Sequence, residues 1–248
     1  MEKVGRWARV RPQAGRGVAW WTLGLAASLG CQLGPGTRPD AVLPRVAPRE
    51  LVVRTASFAF HMGAAVDPTW PDKAEETRMA LGARLPELLE EEDTTVPILA
   101  HQLGVVWPSE ALDFDVILAD EDSRPCDAKI PRLLLAGGGE GRVFFACVLE
   151  RSFARVAEQG ELHRALAAVN AHEAEPVYAC IVAYAVAAVM VARASDPKDA
   201  RAVEARLATG CTPDALGWVA REWIRRVRNE ETAAAFGTRA ALALVSSH

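Results

Sequence analysis

Strands early and helices late place this chain in the α+β class, a small sheet from the N-terminal half packed on a C-terminal helical bundle. Three observations lead there. Apolar and polar residues alternate, or run apolar, at residues 51–62, 112–119 and 130–136, each followed by turn-forming residues or a change of period. From Arg142 onward the apolar residues recur at helical spacing almost to the end. At 248 residues and 50% hydrophobic composition, the chain can bury one medium-sized core.

In order along the chain, residues 51–62 read as one strand, with Val52, Arg54, Ala56, Phe58 and Phe60 on a common face. Residues 72–92 take a helical period from Met79, Leu81, Leu85, Leu88 and Leu89. Pro86 lacks an amide hydrogen and is expected to kink or split that helix. A second short helix starts at Thr94 or Thr95 and stops at Gly104. Residues 112–119 set Leu112, Phe114, Val116 and Leu118 against Asp113 and Asp115, the pattern of a half-buried strand. Residues 130–136 give a third strand, which ends in the glycine loop 137–141. Helices are then expected at 142–158, 161–171, 176–194, 197–208, 213–228 and 230–245. Residues 177–191 carry no charge, but fifteen residues fall short of the roughly 20 that span a bilayer, so they read as a central buried helix.

The N-terminus has a different logic. Lys3, Arg6, Arg9, Arg11 and Arg16 precede an uncharged run over 17–31 whose exit is Ser28-Leu29-Gly30-Cys31. A basic stretch, an apolar stretch and a small-residue exit describe a secretory signal peptide over residues 1–30. The exit resembles the lipobox of bacterial lipoproteins, where signal peptidase cuts before a cysteine joined to diacylglycerol. Gly30 and Cys31 fit that pattern, while Ser28 and Leu29 stand in swapped order. The resemblance implies a lipid anchor on Cys31 and an exported protein of a bacterial envelope, at the outer membrane, in the periplasm or outside the cell. Ser28 and Gly30 also suit ordinary cleavage, and a cytosolic protein with a buried N-terminal helix is the remaining reading. Residues 31–49, with Pro35, Pro39, Pro44 and Pro48, read as an extended tether, and residues 50–248 as a single globular domain.

Charge narrows the partners. The whole chain carries −4 and a pI near 5.8. Removing residues 1–30 leaves 23 positive and 31 negative charges, a net of −8. An acidic body of this kind is no general nucleic-acid binder, and its overall field repels anionic lipid. No protein or small-molecule partner is specified by the composition.

Export would expose four further cysteines to an oxidising compartment. Cys147 and Cys180 lie in apolar helical patterns, and Cys126 and Cys211 lie beside prolines in loops. A pair within each class, Cys126 with Cys211 among them, is one arrangement; free buried thiols are the other. No CxxC spacing is present, so neither a structural zinc nor another cofactor is expected.

Candidate chemistry is sparse. The glycine loop lacks the Lys and hydroxyl of a Walker loop. His172-Glu173-Ala174-Glu175-Pro176 begins like HExxH, but proline stands where the second histidine must bind metal; it is expected to open a helix with Glu173 and Glu175 at its positive end. Asp113, Asp115, Asp120, Glu121, Asp122 and Asp127 read as a solvated strand face and loop, and Glu90-Glu91-Glu92-Asp93 as a solvated helix end. In the helix 213–228, Trp223 forms an apolar row with Val219 and Val227, and the arginines are expected at the surface or paired with Glu222, Glu230 and Glu231. Hydropathy over 112–194, with Phe144-Phe145-Ala146-Cys147-Val148-Leu149-Glu150-Arg151 and the later YACIVAY, is similar to the core of bacterial secreted zinc-peptidase-like domains. That resemblance implies a scaffold without its chemistry, because Cys147 and Arg151 replace the two histidines and Val148 the general base. The expected role is therefore non-catalytic binding or structure. The alternative is a divergent secreted metal-dependent hydrolase that draws ligands from His163, His172 and Glu173.

Overall fold

The computed structural model describes residues 50–119, 132–136, 141–194 and 197–245, so residues 1–49 and the signal, lipid and tether expectations on them lie outside the described residues. Four strands, β1 (Glu50–Arg54), β2 (Phe58–Gly63), β3 (Leu112–Ala119) and β4 (Arg132–Ala136), make one sheet in the order β1-β2-β3-β4. β1 runs antiparallel to β2, and the other two pairings are parallel. Helix α1 (Trp70–Leu103) makes the crossover from β2 to β3. The helices α2 (Gly141–Arg155), α3 (Glu161–Ala167), α4 (Ala171–Arg193), α5 (Pro197–Gly210), α6 (Pro213–Arg228) and α7 (Ala233–Ala240) follow, the last extended by a π turn over Ala241–Val245. This is the α+β architecture that the sequence predicts, and all these elements belong to one compact unit, Ala47–His248.

The alternation of β2 and β3 divides the sheet into two faces. Phe58, Phe60 and Met62 lie on the inner face with Phe114 and Val116, all essentially inaccessible. Helix α2 lays Phe144 against Phe60 and Phe145 against Phe58, with ring centroids 6.0 and 6.2 Å apart. Trp107 closes the end of this layer between Phe58 and Phe153. The outer face carries His61 beside the exposed Asp113 and Asp115. Behind α2 stands α4, whose Tyr178, Ile181, Ala185 and Met190 are fully buried. α4 is the one described helix long and apolar enough to cross a membrane, yet most of it is covered by its neighbours.

Three expectations need correction. Residues 51–62 are not one strand but a hairpin. The backbone turns at Thr55, whose hydroxyl accepts the Phe58 amide at 3.0 Å, and the reversal puts Phe58 and Phe60 on the face of Leu51 and Val53, away from Val52 and Arg54. Residues 72–92 and the helix beginning at Thr94 or Thr95 are one helix; Pro86 and Pro97 stand within it, and Pro71 occupies its first turn, where a missing amide hydrogen costs nothing. The predicted stop at Gly104 is observed: φ is 63°, and its amide caps the carbonyls of Ala100 and His101. α4 begins at Ala171, capped by the Asn170 side chain, so Pro176 lies inside the helix and only Glu173 falls in the first turn. α6 spans the residues expected of it, from a Thr212 cap and a leading Pro213 to Asn229.

Candidate functional site

The described residues hold two clusters of charged groups away from ordinary surface and one line of charge across the sheet. On α1, Glu91 and Glu92 are only 7% and 2% exposed, so the acidic run is no solvated helix end. Arg142, in the first turn of α2, meets Glu91 Oε1 at 2.6 Å. Glu92 Oε1 accepts the Ser57 amide of the β1–β2 turn at 2.5 Å. Among the described residues, Glu92 Oε2 and the fully buried Thr95 hydroxyl one turn further on make no hydrogen bond. This cluster ties α1 to the hairpin on one side and to the start of α2 on the other.

A second cluster joins α6 and α7. The Arg239 guanidinium grips Glu231 through Nε and Nη2 at 2.8 and 2.6 Å and reaches Glu222 through Nη1 at 2.6 Å. That grip, with further attraction from Arg226, holds the Glu231 carboxyl below its ordinary range despite some desolvation. Arg226 is buried between the rings of Trp223 and Phe236 and donates to the backbone carbonyls of Gln102 and Glu231. Burial pulls its affinity for the proton down to about 10, while it stays charged at neutral pH. The expectation that the α6 arginines are all at the surface or paired with acids thus fails for Arg226, which is a core cation fastened to the end of α1. Trp223 is core, as expected.

On the outer sheet face, His61 bridges three strands. Nε2 stands 2.7 Å from Asp113 Oδ1 on β3, and Nδ1 stands 3.4 Å from Glu50 Oε1 on β1. The hydrogen bond to Asp113, with lesser help from Glu50 against some desolvation, raises the His61 pKa above its ordinary value. An imidazole with a carboxylate facing each nitrogen has its protonated form favoured and neither nitrogen open to a substrate.

The residues assigned to a hydrolase do not converge. His163 faces Glu175 at 3.3 Å and packs edge-on against Tyr178, whose hydroxyl donates to the Phe153 carbonyl. Burial raises the Tyr178 pKa, and Glu175 adds to the effect. The His172 side chain is 94% exposed with Glu173 at 3.8 Å. Among the described residues no group of three or more His, Cys, Asp and Glu gathers to hold a metal ion. On α2, Cys147 and Val148 are fully buried, and Cys147 is disulfide-bonded. Asp120, Glu121, Asp122 and Asp127, the loop residues 137–140, Cys31 and Cys126 lie outside the described residues.

Cys211 is bonded to Cys180, with Cα atoms 5.1 Å apart, which corrects the pairing of Cys211 with Cys126. The reason is packing across classes: the α5–α6 junction carrying Cys211 lies over α4, so the loop thiol meets a helix thiol and not another loop. Residue type and flanking prolines carry no signal of that crossing. Set beside known proteins, the chain matches no family model, no curated protein and no solved structure.

Proposed function

We propose that this chain is the precursor of an exported bacterial envelope protein, cut before Cys31, held to a membrane by lipid on that cysteine, and acting by binding or as a structural part. The observation that carries this reading is the state of the core cysteines: Cys180 is bonded to Cys211, and Cys147 is bonded as well. Bonds of this kind persist in oxidising compartments and are rare in a reducing cytosol. The basic-then-apolar leader and the Gly30-Cys31 exit supply the matching address. The non-catalytic part of the reading draws on the histidines His61 and His163, each engaged by carboxylate, and on Cys147, Val148 and Arg151 standing where a zinc peptidase would need ligands and a base. Residues 112–194 enter as a scaffold that supports surfaces and carries no metal chemistry.

Mass spectrometry of the N-terminus from the native host tests the proposal. The expected product begins at an acylated Cys31, and Cys31→Ser abolishes lipid labelling and releases the protein from membranes. Full-length chain with Met1 in the cytoplasmic fraction overturns it.

A further inference from the structure

Helix α6 turns a basic stripe outward from an acidic protein. Glu222, Trp223 and Arg226 face inward, whereas Arg221, Ile224, Arg225, Val227 and Arg228 are exposed. Arg225 is paired with Glu222 at 3.0 Å. Arg221 and Arg228 make no ion pair among the described residues. Between these cations Ile224 and Val227 are 38% and 52% exposed, aliphatic side chains left in water beside guanidiniums.

We propose that this face of α6 docks on anionic lipid headgroups at a membrane surface, an inference that rests on the membrane-anchored reading above and extends it by saying which side of the domain turns to the bilayer. Two features of the arginine stripe favour a lipid surface over an acidic protein segment. The cations are strung along the helix from Arg221 to Arg228, a rise of about 10 Å, which fits a plane of headgroups better than one carboxylate. Interspersed aliphatics are what an interfacial helix sinks below the headgroup level while its arginines stay at it. The net acidity of the body does not prevent this. Repulsion by its overall field falls off within a Debye length of about 8 Å, so it leaves the acidic faces turned away while the local stripe is drawn in.

Hydrogen exchange of the full chain with vesicles tests the proposal locally, whatever the leader residues do. With vesicles of phosphatidylcholine containing phosphatidylglycerol, amides of residues 213–228 gain protection, and the gain fades in high salt. Arg221→Gln with Arg228→Gln, two positions without ion pairs, raises the vesicle concentration giving half-protection about 25-fold, at about fivefold per charge. The double lysine variant retains most of the effect, and an unchanged melting point shows that the fold is intact. No protection of α6, equal protection by pure phosphatidylcholine, or stronger protection by polyglutamate than by the anionic vesicles overturns the proposal, the last result favouring an acidic protein. Failure of membrane anchoring is read separately, from the N-terminus.

Discussion

Glu92 shows how one buried side chain can do the work of a turn sequence. Thr55-Ala56-Ser57 contains none of the glycine, proline or asparagine that usually reverses a strand. The Thr55 hydroxyl takes the Phe58 amide, and Glu92, reaching from α1, takes the Ser57 amide. Glu92→Ala strands the Ser57 donor and should cost about 1–3 kcal/mol by denaturant titration. Glu92→Gln keeps an acceptor oxygen and removes a buried charge, so it should be neutral or stabilising; a loss as large as that of alanine would show that the negative charge itself is needed. His61 offers a pH readout. Its folded-state pKa is raised, so the stability it contributes is full below the unfolded value of about 6.5 and is lost as pH rises through the folded one. An NMR titration should find His61 above that ordinary value and Asp113→Asn moving it back down. At this scale the sequence was least legible. The acids at 90–93 look solvated in one dimension, and nothing local reveals that a hairpin 35 residues upstream uses one of them.

Among the elements, the end of α1 at Gly104 was readable, because a glycine stop is local chemistry, and α6 has the bounds its period predicts, whereas the start expected at Thr94 or Thr95 falls inside α1. The fusion of two expected helices into α1 was not readable, since Pro86 and Pro97 argue locally for breaks that packing along 34 residues overrides. Gly104 has a second role visible only in three dimensions. A β-carbon there would lie 2.6 Å from Ala233 Cβ and 3.0 Å from Glu161 Cβ, so the end of α1 is where α3 and α7 close in. The backbone is also left-handed at this residue. Gly104→Ala should therefore destabilise by about 2–4 kcal/mol, beyond the roughly 1 kcal/mol of conformation alone, as measured by urea unfolding. A change under 1 kcal/mol would mean that α3 and α7 give way freely. Arg226 belongs to the same junction: it fastens α6 to the last turn of α1 through Gln102, a link spanning 124 positions that no helical period reports.

For the whole molecule, the α+β division was legible because every strand lies before residue 137, with α1 interrupting them once, and from Gly141 onward the period is helical throughout the described residues. The pairing of cysteines was not, because it depends on which helix a loop comes to rest against. Cys180–Cys211 closes a span of 31 residues between the central helix and the α5–α6 junction. Its removal by Cys211→Ser should lower stability by about 2–4 kcal/mol and the melting point by roughly 5–15 °C, and a reductant should lower the wild-type melting point but leave Cys180→Ser/Cys211→Ser less affected. Calorimetry in and out of reductant checks this, and an unmoved transition would show that helix packing alone holds the junction.

The greasiness of α4 has a consequence for the chain before it is finished. By length and composition, Ala171–Arg193 of the newborn polypeptide passes for a membrane span. Only when α2, α3, α5 and α6 wrap around it does protein become the better home. Until then one helix has two solvents open to it, and its neighbours in the fold are what decide between them.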